Sequence, residues 1–132
     1  VAVDIVEPNA KSVVIVSTPT PGLPGTYTLR EGEFPYCIAR RFDLNPAELM
    51  ALNNVGNDVS PGTTLTIPTN SSWPIEYDRA LRNHPTTYTV LTGDTIYNIA
   101  CLFGDVDPNA IIQANGLEEP YTLTTGKTIE IP

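Results

Sequence analysis

Residues 27–42, YTLREGEFPYCIARRF, recur further along the chain as residues 88–103, YTVLTGDTIYNIACLF. The two stretches align without a gap, so that Tyr27 matches Tyr88 and Phe42 matches Phe103. The alignment continues after short changes in loop length. In order, the further matching residues are Pro46, Asn53, Gly62, Thr64, Ile67 and Pro68 after the first stretch and Pro108, Asn115, Gly126, Thr128, Ile131 and Pro132 after the second. A fixed internal period of this kind indicates a repeated unit. The chain therefore contains two copies of one small domain, copy one (residues 26–68) and copy two (residues 86–132).

Each copy carries the same series of secondary-structure signals. It opens on alternating Thr, Tyr and aliphatic residues, which indicate a half-buried strand. A glycine turn follows, and apolar residues at three- and four-residue spacing then predict an amphipathic helix, which Asp94 or Thr95 can cap in copy two. Asn45-Pro46 and Asp107-Pro108 each supply the cap and first residue of a second helix. A short alternating stretch before the final Pro of each copy predicts a closing strand.

The order of these elements predicts the fold class. Two strands separated by two helices within about 40 residues must lie side by side to bury one face. We therefore predict an α+β protein in which each copy has a two-stranded antiparallel sheet covered by two helices. Residues 1–25 form an extended, Pro-rich arm that matches neither copy, and residues 69–85 form a linker. The linker has apolar residues that we expect to pack against the domains, namely Trp73, Ile75, Tyr77 and Leu81.

Composition excludes several classes of protein. The 132 residues are 41% hydrophobic and 17% charged, too apolar for a disordered chain, and they contain no apolar run long enough to insert into a membrane. A net charge of -8 repels phosphate backbones and anionic lipids, so we expect no nucleic-acid partner. Because the sequence starts at Val1 without a signal peptide, we expect a processed, exported protein.

Copy two resembles the LysM (lysin motif) domain, in the extracellular bacterial type of that family. It contains YTVLTGDTIYNIACLF, then DPNAIIQANGL and finally GKTIEIP, which follow the family pattern YxVxxGDTxxxIA, a central AN and a closing IP. Copy one keeps the same frame but has Glu33-Phe34 where the pattern has Asp-Thr. The resemblance implies a strand-helix-helix-strand fold and non-enzymatic binding of N-acetylglucosamine polymers such as peptidoglycan or chitin, at the cell wall or cell surface.

The resemblance also implies where the sugar lies. In the family it occupies a shallow groove between the loop after the first strand and the loop before the second. In copy two, which we expect to bind better, these positions are Gly93, Asp94, Thr95 and Ile96, facing Asn115, Gly116, Leu117 and Glu118. In copy one they are Gly32, Glu33, Phe34 and Pro35, facing Asn54, Val55, Gly56 and Asn57. Phe34-Pro35 has a second interpretation, which we favour, as an apolar patch buried against the neighbouring domain.

The residues give little support to an enzyme. His84 is the only histidine and has no nucleophile motif beside it. A glycosidase needs two carboxylates facing across a deep cleft, which domains this small seldom provide. The two cysteines are not in a CxxC motif, so a thiolate metal site is not expected either. We predict no catalytic residue, no cofactor and no metal.

An alternative hypothesis is a structural subunit of an extracellular assembly or filament. Val13, Val14, Ile15 and Val16 form a β-prone run in the arm. Such a run can add a strand to an exposed sheet edge, and a two-stranded sheet has two such edges. We therefore expect that self-association, if it occurs, uses these four residues.

Cys37 and Cys101 occupy positions that do not match between the copies. Cys37 aligns with Asn98 and Cys101 with Arg40, so each cysteine has a polar counterpart and lies beside its helix's apolar stripe. Because each copy has one cysteine, an intramolecular bridge must join the copies. We predict a Cys37–Cys101 disulfide, and the alternative is two unpaired, partly buried thiols.

Overall fold

The computed structural model describes residues 23–132, so the run Val13–Val16 and its predicted strand pairing lie outside the described residues. Copy one consists of β1 (Thr26–Thr28), α1 (Pro35–Phe42), α2 (Pro46–Asn53) and β2 (Thr64–Thr66). Copy two consists of β3 (Thr86–Thr89), α3 (Ile96–Phe103), α4 (Pro108–Asn115) and β4 (Thr128–Ile131). The predicted α+β class and the order strand-helix-helix-strand are confirmed.

Each copy forms its own two-stranded antiparallel sheet. In copy one β1 pairs with β2 and places Tyr27 opposite Leu65. In copy two β3 pairs with β4 and places Tyr88 opposite Ile129. Equivalent residues of the repeat therefore pair in the same register, which is expected because a slip of one residue would turn the buried side chains to the solvent face.

The helices begin at the residues that the sequence marks. The Asn45 side chain accepts hydrogen bonds from the backbone N–H of Ala47 (2.9 Å) and of Glu48 (3.4 Å) at the start of α2. Asp107 caps α4 in the same way. Of the two candidate caps for α3, Thr95 is the N-cap, and it forms a reciprocal capping box with Asn98. These side chains satisfy backbone N–H groups that have no partner within the helix.

Equivalent side chains fill two separate cores. Ile38, Ala39, Leu49 and Leu65 are fully buried in copy one. Ile99, Ala100, Ile111 and Ile129 take the same places in copy two, where Ile129 is 5% exposed. Each helix in the described part of the chain has eight residues and is too short to cross a membrane.

The two copies are joined through their first helices. Cys37 of α1 and Cys101 of α3 form a disulfide with their Cα atoms 5.3 Å apart, as the sequence predicts. Both cysteines are buried, although Arg40 and Asn98, their counterparts in the repeat, are partly exposed. The reason is that the helix face beside each apolar stripe is turned towards the other copy.

The linker is attached to copy one through Trp73. The indole is buried and lies edge-on to Tyr36, with ring centroids 5.2 Å apart. The backbone N–H of Trp73 donates to Asp43 Oδ1 over 3.2 Å, and the Arg79 guanidinium donates to the carbonyl of Arg40 over 2.8 Å. A cation at that place also interacts favourably with the carboxyl end of α1.

The second half of the linker contacts copy two. The backbone N–H of Arg82 donates to the Phe103 carbonyl over 3.0 Å. The His84 ring lies between Asp105 Oδ1 at 2.8 Å and the Pro132 carbonyl at 2.7 Å. Hydrogen bonds therefore attach the linker to both copies.

One part of the linker prediction is wrong. Ile75 and Tyr77 are 98% and 67% exposed and do not pack against the domains. Leu81 is 41% exposed, but its Cδ2 atom lies beside Gly104 of copy two.

The first test concerns the disulfide. A double variant, Cys37→Ala with Cys101→Ala, should lower the free energy of unfolding, because a link across 64 residues restricts the unfolded chain. The chain-entropy model gives about 4 kcal/mol for such a loop. Urea unfolding followed by circular dichroism measures the loss. Reductant should destabilise the wild type and leave the variant unchanged; equal midpoints for oxidised wild type and variant would contradict the prediction.

Candidate functional site

Asp94 closes the turn between β3 and α3. Its Oδ2 accepts hydrogen bonds from the Tyr88 hydroxyl (2.8 Å) and the Leu91 backbone N–H (2.9 Å). Its Oδ1 accepts from the Asn98 side-chain amide at 2.9 Å. One carboxylate thus ties the strand, the turn and the helix together, and both of its oxygens are occupied by donors of the same copy.

These contacts change the acidity of both partners. Burial raises the pKa of Asp94, but the hydrogen bonds from Asn98, Leu91 and Tyr88 outweigh it and hold the pKa below its usual 3.8. Burial raises the pKa of Tyr88, and its hydrogen bond to the Asp94 carboxylate raises it further. Asp94 is therefore kept ionised and Tyr88 protonated.

Glu33 performs the same task in copy one. It accepts from the Tyr27 hydroxyl (2.7 Å) and the Arg30 backbone N–H (2.8 Å), and it forms an ion pair with Arg41 at 3.0 Å. The side chains of Glu33 and Arg41 are 0% and 1% exposed. Burial, opposed by the charge of Arg41 and supported by the hydrogen bond to Glu33, raises the pKa of Tyr27 to about 12. The Glu33 side chain has no exposed surface to offer a ligand.

The facing loop of copy two is also engaged in the fold. The Asn115 amide donates to the carbonyls of Ile111 (2.9 Å) and Glu130 (2.8 Å), and its oxygen accepts from the Glu130 N–H at 2.8 Å. Asn53 makes the equivalent bonds in copy one. Gly116 ends α4 in the left-handed conformation, and Leu117 packs partly against the core. Glu118 is exposed.

Copy one has a surface groove at its predicted site. It has a volume of about 470 Å³, and its walls include Gly32 and Phe34 on one side and Asn57, Asp58, Val59 and Pro61 on the other. Asn57 Oδ1 also accepts from the Tyr36 N–H at 2.9 Å.

Of the four facing residues predicted in copy one, Asn57 lines this groove, and Asp58, Val59 and Pro61 continue its wall. Asn54 ends α2 with φ 54° and Val55 packs partly against the core, while Gly56 is exposed but does not line the groove. The helix-ending conformation turns this stretch away. Asp58, Val59 and Pro61 were missed because loop lengths differ between the copies, so the alignment gives them no counterpart.

The turn of copy one packs against the beginning of α3. The Thr95 hydroxyl lies 3.3 Å from the Glu31 carbonyl, to which it donates. A Cβ at Gly32 would be 2.9 Å from the Asn98 Cβ. Arg30 lies over the Tyr97 ring, 5.5 Å from its centroid. Thr95, a predicted sugar contact, thus takes part in the contact between the copies.

The remaining predicted residues divide between core and surface. Ile96 is buried and Gly93 is exposed with φ 86°. Pro35 is buried, and the partly buried Phe34 packs against the core of its own copy. Phe34 also lines a second groove, between the copies, which the repeat pattern does not predict.

Comparison with known sequences assigns the fold to a family. The model of the LysM domain matches residues 27–68 and 88–132, which is more than half of the chain. This chain belongs to the LysM domain family. Both LysM matches include the turn acid and the asparagine that ties the second helix to the closing strand.

Several proteins share the LysM region. The secreted LysM effector ECP6 of Passalora fulva is 28% identical over 119 residues, which cover 80% of this chain and 52% of ECP6. The N-acetylmuramoyl-L-alanine amidase sle1 of Staphylococcus saprophyticus is 27% identical over 107 residues, covering 80% of this chain and 31% of the amidase. The crystal structure of the spore cortex-lytic enzyme SleL of Bacillus megaterium is 29% identical with a TM-score of 0.33, covering 81% of this chain and 22% of SleL. The chain spans about half or less of each relative.

The contact between the LysM copies can be tested with matched glycine variants. Gly32 and Gly93 occupy equivalent turns with φ 92° and 86°, so alanine at either costs about 1–2 kcal/mol of backbone strain. A Cβ at Gly93 meets nothing within 4 Å, whereas one at Gly32 meets Asn98. Gly32→Ala should therefore be about 1–3 kcal/mol more destabilising than Gly93→Ala in urea unfolding. Equal losses would mean that the turn of copy one is not held against α3.

The turn acid gives a pH prediction. Because the pKa of Asp94 is lower in the folded protein, ionised Asp94 stabilises the fold above its unfolded pKa. This stability is lost as the pH falls through the folded value. Asp94→Asn should thus be less stable than wild type by about 1–3 kcal/mol at pH 7, and the difference should shrink below about pH 4. Asp58→Asn, the same change at an exposed loop position, is the control. A stability gap as large at pH 2 as at pH 7 would refute the assignment.

Proposed function

We propose that this protein binds N-acetylglucosamine-containing cell-wall polysaccharide, peptidoglycan or chitin, outside the cell and without catalysing a reaction. The observation that carries the proposal is that both copies belong to the LysM family, whose domains bind such polymers. Two relatives support the setting, since one is named as a secreted LysM effector and another as an N-acetylmuramoyl-L-alanine amidase.

The groove of copy one has suitable chemistry for a neutral acetamido sugar. Phe34 and Val59 provide apolar surface for the methyl group and the ring faces, and Asn57 and Asp58 are exposed polar residues. Carbohydrate hydroxyls are both donors and acceptors, so a carboxylate and an amide can bind them directly. Because the sugar carries no charge, binding at this groove should depend little on salt.

Copy two is proposed as the tighter binder because it has the family's Gly93-Asp94-Thr95 turn. Since the Asp94 carboxylate and the Thr95 hydroxyl are engaged within the protein, their part is to shape the loop. We therefore expect exposed groups of the two loops to contact the sugar directly, among them Gly93 and Glu118.

A binding role without catalysis also fits the acids of the described region. The two turn acids, Glu33 and Asp94, accept hydrogen bonds from their own copies and are not free to transfer protons. The amidase is longer than this chain, which covers 31% of it. We assign attachment to the wall, and not the amidase reaction, to the region that the two proteins share.

Isothermal titration calorimetry with chitotetraose tests the proposal. Asp58→Ala alters the copy-one loop and Glu118→Ala the copy-two loop, while Glu76→Ala removes the same charge from an exposed position of the linker. If each carboxylate binds a sugar hydroxyl, each loop variant should weaken binding at its own copy by about tenfold, with the larger loss of total affinity in Glu118→Ala. Glu76→Ala should bind as wild type does.

Two results would overturn the proposal. One is the absence of heat with both chitotetraose and a peptidoglycan tetrasaccharide at millimolar concentration. The other is equal weakening by all three variants, since Glu76 lies in neither loop. Repeating the wild-type titration at high salt checks that the neutral sugar's affinity changes little.

A further inference from the structure

A second groove runs between the copies, with walls from copy one, the linker and copy two. Its volume is about 690 Å³, within the range of about 300–1,000 Å³ that is usual for small-molecule sites. Arg40 and Phe34 line it from copy one, Arg82 from the linker, and Leu91 and Leu102 from copy two. It shares Gly32 and Phe34 with the groove of copy one, but Arg40 and Arg82 line only the groove between the copies.

The two arginines bring positive charge without a paired acid. Within residues 23–132 the ion pairs are Glu33–Arg41 and His84–Asp105, so neither Arg40 nor Arg82 is bridged to a carboxylate of this region. The Arg40 Nε atom is buried and has no hydrogen-bond partner in the described part of the chain. A buried donor without a partner is costly unless something else accepts its hydrogen bond.

The one acid that lines the groove is already satisfied. Asp94 accepts hydrogen bonds from Tyr88, Leu91 and Asn98, and all three also line the groove. Arg82 lines the same groove as Tyr88 and Asp94. The groove thus holds two arginine cations and one carboxylate, which leaves it with an excess of positive charge in a protein of net charge -8.

The surroundings of the two arginines limit which kind of anion can bind in the groove. The Arg40 guanidinium lies over the Tyr36 ring, 5.3 Å from its centroid, and the Arg82 guanidinium lies 6.0 Å from the Phe103 centroid. Both therefore have one face covered and in-plane donors left, the geometry that favours a planar carboxylate. Phe34, Leu91 and Leu102 add apolar walls. The groove thus matches a carboxylate attached to a partly apolar molecule.

We infer that this groove binds a carboxylate carried by an acetamido sugar, as in the free 3-O-lactyl group of N-acetylmuramic acid, and that the protein therefore prefers glycan strands without stem peptides, whose lactyl carboxyl is free, to neutral chitin. The inference rests on the proposed function for the class of ligand. The lactyl methyl group and the sugar face contact the apolar walls, and the carboxylate pairs with Arg40 and Arg82.

The test compares sugars that differ in this group. The arginine Nε–H resonances of the full chain are followed by NMR during titration with N-acetylmuramic acid and with N-acetylglucosamine. The Arg40 and Arg82 signals should shift with the first sugar, which should bind at least about tenfold more tightly than the second. N-acetylmuramoyl-L-alanine, whose lactyl carboxyl is an amide and whose carboxylate lies one residue further out, should lose this advantage.

Arg82→Gln is the informative variant, because Arg82 is exposed and its hydrogen bond to copy two is made by its backbone N–H, which glutamine keeps. It should lose the preference for N-acetylmuramic acid and keep its affinity for N-acetylglucosamine. Lys127→Gln removes the same charge from an exposed turn of copy two and should behave as wild type. Equal affinities of the wild type for both sugars, or equal losses in both variants, would overturn the inference.

The outcome is separable from that of the proposed function. If chitotetraose binds but N-acetylmuramic acid binds no more tightly than N-acetylglucosamine, the proposed function is supported and the carboxylate site is ruled out. If chitotetraose does not bind while N-acetylmuramic acid shifts the Arg40 and Arg82 resonances, the carboxylate site is supported and binding of neutral sugar is ruled out.

Discussion

The carboxylate that follows the first strand is the interaction on which each copy depends. In copy two Asp94 receives hydrogen bonds from the strand through Tyr88, from the turn through Leu91 and from the helix through Asn98. With two strands of three or four residues, a copy has few other ways to fix the angle between strand and helix. The position of the first helix, and with it the packing between the copies, follows from this contact.

Copy one shows what happens when the acid is longer by one methylene. Glu33 keeps the bonds to the strand tyrosine and to the turn, and it also pairs with Arg41, at the position of Leu102 in copy two. Removing both charges from water is costly, but Tyr27 and the Arg30 N–H complete the coordination of the carboxylate. Arg41 Nη2 also lies 3.9 Å from the sulfurs of Cys37 and Cys101. The departure from the family's Asp is therefore part of how copy one meets copy two.

What the sequence predicts well is local or repeated. Caps such as Asn45 and Asp107 depend on neighbouring residues, and the repeat gives two independent views of each strand and helix. The disulfide was also predictable, because its cysteines break the repeat at polar positions. The groove between the copies was not, since it depends on how one copy is rotated against the other. The nearest sequence signal was the concentration of arginines, including Arg40 and Arg82, in an acidic chain.

The predicted sugar residues illustrate a second limit. A family motif marks residues by position, and it does not separate those that shape a loop from those that face solvent. Asn115 has its amide fully used between α4 and β4, and Glu33 is buried, whereas Glu118 is exposed. Only coordinates distinguish these cases, because the burial of Glu33 depends on its ion pair with Arg41 and the second partner of Asn115 is Glu130, fifteen residues later.

The disulfide also determines how the molecule would carry tension. If the chain is pulled at points before Cys37 and after Cys101, the force passes directly between the first helices through the two sulfur atoms. The chain between them, a sequence separation of 64 that includes α2, β2, the linker and β3, is then bypassed. About 220 Å of potential extension is withheld while the bond is intact. Of the described residues, only those before Cys37, with β1, and those after Cys101, with α4 and β4, can then be extended, so the tandem stretches less when the disulfide is oxidised than when it is reduced.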